Sequence, residues 1–175
     1  MLLRQLTALV LLTLASSFAA LGADSEASYW PQWRGPNLDG SSSQARDLPV
    51  MWSTTENVLW SVDLPSWSAA TPAVWGNTVF VTSAEEGFRG SGNGEPSENG
   101  VDKILLLAIN RRDGSIRWQR VIGEGNRTYR KQNLASPSPM TDGRLSVPTL
   151  GNGIGSYLDT PRSGQKSLGW LMKSI

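Results

Sequence analysis

Lys103-Ile104-Leu105-Leu106-Leu107-Ala108-Ile109, then Asn110-Arg111-Arg112-Asp113-Gly114, then Ser115-Ile116-Arg117-Trp118-Gln119-Arg120-Val121-Ile122: these three adjoining pieces decide the fold class. The first is an unbroken apolar run. It is shorter than the roughly ten residues a buried helix needs, and it stops at a cluster of Asn, Asp and Gly that favours a turn. A strand buried on both faces is therefore expected there. The third piece alternates, which places Ile116, Trp118 and either Val121 or Ile122 on an inward face. Two β-rich runs around Asp-Gly make a hairpin.

The same grammar recurs elsewhere in the chain. Thr71-Pro72-Ala73-Val74-Trp75 and Thr78-Val79-Phe80-Val81-Thr82 flank Gly76-Asn77, a second hairpin. Val58-Leu59-Trp60-Ser61-Val62-Asp63-Leu64 has strand character and stops at Pro65. Residues 84–102 are Gly-rich, polar and acidic, and read as a long exposed loop. Trp60 is matched by Trp118, and Ala70-Thr71-Pro72-Ala73-Val74-Trp75-Gly76-Asn77 by Pro137-Ser138-Pro139-Met140-Thr141-Asp142-Gly143-Arg144. Both times the order is a Trp-terminated strand, a loop, Thr/Ser-Pro, a strand and a Gly turn. An internal repeat of this kind, with a unit of about 40–50 residues, points to four-stranded sheets stacked side by side.

Asp113-Gly114-Ser115-Ile116-Arg117-Trp118 resembles the repeat of pyrroloquinoline-quinone-like (quinoprotein-type) β-propellers, in which Asp-Gly turns the hairpin and Trp closes the strand. Trp30-Pro31-Gln32-Trp33-Arg34-Gly35-Pro36 is similar to the opening of secreted bacterial proteins of that type, and Asn133-Leu134-Ala135-Ser136-Pro137-Ser138-Pro139 also suits it. The resemblance covers roughly 30–143 and implies an all-β, partial β-propeller of about two four-stranded blades, a number set by that unit length. The domain reading is a signal peptide at 1–23, a partial propeller at 24–143 and an irregular tail at 144–175.

Composition narrows the chemistry. With no Cys and no His, there is no disulfide, thiolate metal site, imidazole base or Ser-His-Asp triad. Lys and Arg number 16 against 15 Asp and Glu, so no basic footprint for nucleic acid exists. Eight Trp, 18 Gly and 10 Pro mark a turn-rich β chain. At the N-terminus Arg4, an apolar run over 6–14 and small residues from Ala15 to Ala23 have the layout of a secretory signal, with cleavage expected within 19–24. That run is too short for the roughly 20 residues of a membrane span. A periplasmic or extracellular protein without a stable membrane span is the expectation.

Candidate sites follow from residue type. Trp30, Trp33, Trp60 and Trp118 are expected to anchor the packing between sheets, Trp60 and Trp118 above all, although a stacking platform for a quinone or sugar is the rival use. Trp67 and Trp75, near turns, are more open to a surface role. Glu85, Glu86, Asn93, Glu95, Glu98, Asn99 and Asp102 lack the fixed spacing of a calcium loop, so no metal site is assigned. The loop 123–133 gathers Arg127, Tyr129, Arg130 and Asn133, with Lys131 beside them. It is the candidate ligand or partner contact, because the guanidinium fork suits carboxylates. No catalytic residue is assigned.

Beyond Arg144 the pattern decays. Pro148 interrupts the strand due after Asp142-Gly143, and 151–167 show no sustained alternation. A frameshift or truncation near Arg144 is the expectation. Shifting the codons of 164–169 by one nucleotide permits Gly-Lys-Lys-Val-Trp, a signature like that of Gly114 to Trp118. An incomplete ring would leave apolar faces and strand edges exposed, making the isolated chain marginally stable or aggregation-prone. What the resemblance implies functionally is a non-enzymatic module that binds periplasmic or outer-membrane proteins, or a ligand, with an architecture like the outer-membrane assembly propeller. The alternative is the N-terminal fragment of a pyrroloquinoline-quinone-dependent dehydrogenase, whose quinone, calcium and catalytic carboxylate are spread around a whole ring.

Overall fold

Every regular element along the described residues is a strand, and the longest lie where apolar runs and Gly turns alternate. The computed structural model describes residues 29–43, 45–90, 93–148, 155–159 and 171–173. The signal-peptide reading at 1–23 lies outside them. In chain order the strands are β1 (Tyr29–Trp30), β2 (Ala73–Trp75), β3 (Thr78–Ala84), β4 (Asn93–Pro96), β5 (Ile104–Asn110) and β6 (Ile116–Gly123). There follow β7 (Arg127–Tyr129), β8 (Gln132–Asn133), β9 (Pro139–Thr141), β10 (Leu145–Pro148), β11 (Gly155–Asp159) and β12 (Leu171–Lys173). The expected all-β class is what the described residues adopt.

A five-stranded antiparallel sheet, in the order β1-β2-β3-β5-β6, holds the core. β5 lies next to its centre, paired over its whole length with β3 from Ile104↔Ala84 to Asn110↔Thr78. That position explains the unbroken apolar run. One face of the sheet packs Phe80, Ile104, Leu106, Ala108 and Ile122 with Ala135, flanked by Trp75, Trp118 and Leu134. The other packs Val81, Leu105, Leu107 and Ile109 under Trp60, Val62 and Leu64. Ile104, Leu106 and Leu107 are fully buried. Each such side chain contributes about 1.5–3 kcal/mol relative to exposure.

Three expectations are corrected in detail. The segment 58–64 is not a strand; it runs extended across the second face, where its alternation still points Trp60, Val62 and Leu64 inward. On β6, Ile116 and Val121 are exposed while Ile122 is buried, because irregular pairing with β5 near both ends of the strand displaces the simple alternation. The stretch 84–102 is not a plain exposed loop: it contains β4, and Phe88 and Ser97 are buried.

Beyond Arg144 the chain continues in strands. β10 pairs with β9 from Ser146↔Thr141 to Pro148↔Pro139, so Pro148 ends the strand rather than preventing it. β11 pairs with β10 and β12 with β11, giving a second four-stranded antiparallel sheet in the order β9-β10-β11-β12. The irregular tail expected for 144–175 is corrected at these positions; the rest of it lies outside the described residues. β2-β3-β5-β6 and β9-β10-β11-β12 are thus the same up-and-down meander used twice.

The joint between the two sheets is built from equivalent positions. The Thr71 N–H donates to Ser138 Oγ at 2.8 Å and the Ala69 N–H to Ser136 Oγ at 3.3 Å, both across 67 residues. Thr82 Oγ1, fully buried on β3, donates to Ala135 O at 2.7 Å and Pro137 O at 3.1 Å. Pro31, just after β1, accepts the Thr141 N–H at 2.8 Å, so the N-terminal segment bridges the inner edges of both sheets.

Trp60 keys a separate joint. Its indole N–H donates to Arg111 O at 2.8 Å, in the turn between β5 and β6. The ring lies against Gly114, whose φ is +74°. A Cβ at Gly114 would come 2.6 Å from Trp60 Cε3, so only glycine fits under the indole and also adopts this backbone. Trp118 packs on the opposite face, 6.1 Å from Phe80.

Candidate functional site

A small third sheet, in the order β4-β7-β8, stands apart from the repeated meanders. It is made from the two long connections, β3 to β5 and β6 to β9. Residues 93–96 pair with 127–129, and a two-residue turn at Arg130-Lys131 returns the chain as β8. Arg130 sits at that turn with φ +56°, a left-handed conformation uncommon for a residue with a side chain.

Several polar contacts, most of them buried, fix this sheet. Asn126 is fully buried, donating its N–H to Asp102 O at 2.7 Å and accepting the Leu134 N–H on Oδ1 at 2.9 Å. Asp102 Oδ2 accepts the Gly125 N–H at 3.1 Å. Thr128 is buried directly beneath Gly90, where an added Cβ would collide with the Thr128 hydroxyl. Lys103 Nζ bonds Glu85 Oε1 at 3.0 Å, and this contact holds its pKa above the ordinary 10.5, with Glu124 and Asp102 adding to the effect.

Between the small sheet, the 132–138 loop and the N-terminal segment lies an open cavity of about 720 Å³, lined by Trp33, Gly94, Arg127, Tyr129, Gln132, Asn133, Leu134 and 136–138. Its volume falls within the usual range for small-molecule pockets. Trp33 and Tyr129 are 61% and 65% exposed, large aromatic surfaces left bare around a concavity. Arg34 sits over the Trp33 ring at 5.4 Å, so one face of that indole is covered by the chain itself.

Of the four residues expected to form a contact, the structure brings Arg127, Tyr129 and Asn133 into one wall. Arg130 lies outside the lining. Asn133 is buried and its amide is engaged within the chain: Nδ2 donates to Trp67 O at 2.9 Å and Oδ1 accepts the Ala135 N–H at 3.0 Å. It holds the loop rather than a ligand. Arg127 reaches only Gly94 O, at 3.5 Å, and among the described residues the Tyr129 hydroxyl and the Gln132 amide have no partner.

Trp33, expected as a packing anchor, is instead a cavity wall, and Trp75, read as more open to a surface role, is half-buried against the core and 4.5 Å from Tyr29. The signal that could have found Trp33 is its setting, Gln32-Trp33-Arg34-Gly35-Pro36. The Gln32 side chain bonds Gly35 O and Arg34 N in a tight turn that turns the indole outward. The acidic residues of 85–102 do not converge, and among the described residues no group of three or more could hold a metal ion. No helix among them is long and apolar enough to cross a membrane. Compared with known families, curated proteins and solved structures, the chain matches none.

Proposed function

We propose that this chain is a non-catalytic binding module, part of an exported β-propeller whose Trp-keyed four-stranded sheets form a scaffold for the cavity at one end. The observation that carries the reading is the third sheet. The repeated meanders do not require it, yet two separate connections converge to build it, and they leave Trp33, Tyr129 and Arg127 facing one opening. Loops that build a concavity on a rigid scaffold are the usual carriers of binding. The propeller part of the proposal is supported by the repeated meander and by bonds between equivalent residues, since in a ring of repeats the equivalent segments nearest the axis touch one another.

A fragment screen by nuclear magnetic resonance on the full chain, with neutral, cationic and anionic ring compounds as probes, tests the binding role. The expected outcome is perturbation concentrated on the Trp33 indole and the amides of Arg127, Tyr129 and Gln132. Perturbations scattered over the surface, or absent at these four, would remove the proposal.

A further inference from the structure

We propose that the cavity takes an anionic saccharide, a sugar ring bearing a carboxylate such as a hexuronate, with Trp33 as its stacking face and Arg127 as its carboxylate fork; this rests on the binding role argued above. Three features of the wall select that chemistry. Among the described residues Arg127 is the single charged one in the lining and no carboxylate lines it, while Arg34 stands beside Trp33, so the field favours an anion. The groups facing the opening are side-chain donors of several shapes: the Arg127 guanidinium, held only by one long bond to Gly94 O at 3.5 Å, and the Gln132 carboxamide and Tyr129 phenol, which have no partner among the described residues. A polyhydroxylated ring presents complementary donors and acceptors around its rim.

The aromatic geometry distinguishes a sugar from a flat cofactor. Trp33 offers one free face, the other being under the Arg34 guanidinium at 5.4 Å, which makes a one-sided platform rather than a slot between two rings. A peptide added as an extra strand is also disfavoured. β8 has only two residues, and the Asn133 and Leu134 N–H groups are already bonded to Ser136 Oγ at 3.1 Å and Arg127 O at 3.2 Å.

The experiment titrates the full chain with sodium glucuronate, methyl glucoside and sodium acetate, following the Trp33 indole signal and heat. Glucuronate is expected to bind about tenfold more tightly than the glucoside, the size of one charge-assisted hydrogen bond, and acetate is expected to leave the indole signal unchanged. Arg127→Met is expected to erase the preference, Trp33→Ala to weaken both sugars, and Arg112→Met, a distant surface charge change, to alter neither. Tyr129→Ala provides a second wall variant, and an unchanged amide spectrum certifies folding in each. Equal binding of glucuronate and glucoside, an acetate response matching glucuronate, or a preference surviving Arg127→Met would each overturn the assignment. If all three sugars and acids fail while ring fragments still gather at Trp33, the ligand class is wrong and the binding role stands.

Discussion

Trp60 and Gly114 show how much one contact can organise. With φ at +74° and the indole 2.6 Å from where a Cβ would sit, Gly114→Ala must both strain the backbone and displace the ring. The backbone alone costs about 1–2 kcal/mol, so a larger loss of stability is expected in chemical denaturation, and an unaffected midpoint would refute this contact. The turn beside it is expected to respond to acid. Ser115 bonds the Asp113 carboxylate from its hydroxyl at 2.6 Å and its N–H at 2.9 Å, holding that carboxyl below its ordinary 3.8. A depressed folded pKa stabilises above the unfolded value and is lost as pH falls through the folded one. Ser115→Ala is therefore expected to weaken the protein above pH 3.8 and to converge with the parent under stronger acid, read by denaturation across pH. Trp60, Trp118 and Gly114 were legible in the sequence because a recurring Trp and an Asp-Gly turn carry their own geometry. Trp33 and Asn133 were not. An indole is usually buried, and nothing local to Asn133 announces that its amide will bond Trp67, 66 residues away.

At the level of elements, β2, β3, β5 and β6 of the main sheet were readable because apolar or β-rich runs there alternate with Gly turns, whereas β1, two residues long, was not. The small sheet was hidden for the opposite reason. β4, β7 and β8 have two to four residues each, mostly polar and without an apolar run, and exist because two distant connections meet. Their dependence on that meeting is testable at Gly90, whose missing Cβ makes room for Thr128. Gly90→Ala is expected to unpair β4 from β7 and abolish binding in the cavity, while amide protection in β3 and β5 persists; equal protection in both regions would contradict it. Thr82 plays the matching part between the large sheets. Thr82→Val removes a buried hydroxyl and leaves Ala135 O and Pro137 O with one donor fewer, at a cost of about 1–3 kcal/mol. Faster amide exchange in 133–138 is the expected sign, and unchanged exchange there would show that the clamp is not needed.

For the molecule as a whole, the apolar residues of 48–59 matter most. Leu48, Val50, Met51, Trp52 and Leu59 are all at least 69% exposed, on a segment with no regular structure that nonetheless leads into the buried Trp60 face. Exposed apolar area of this extent drives association. The isolated chain is expected to self-associate with concentration in sedimentation, and Val50→Lys with Leu59→Lys to suppress this. A parent chain that stays monomeric and melts cooperatively would count against it. The repeat and the all-β class could be read at this scale from the pattern around Trp60 and Trp118. The second sheet could not, because Pro148 reads as an interruption until β9 is seen to take it as the closing pair.

The bonds from Thr71 to Ser138 and from Ala69 to Ser136 tie each position to its own counterpart 67 residues on. A seam that joins like to like is indifferent to how many copies precede it. In-frame duplication of one such unit would hand the new copy a ready-made fastening on both sides, so proteins of this design can grow by whole segments without inventing a new interface at each step.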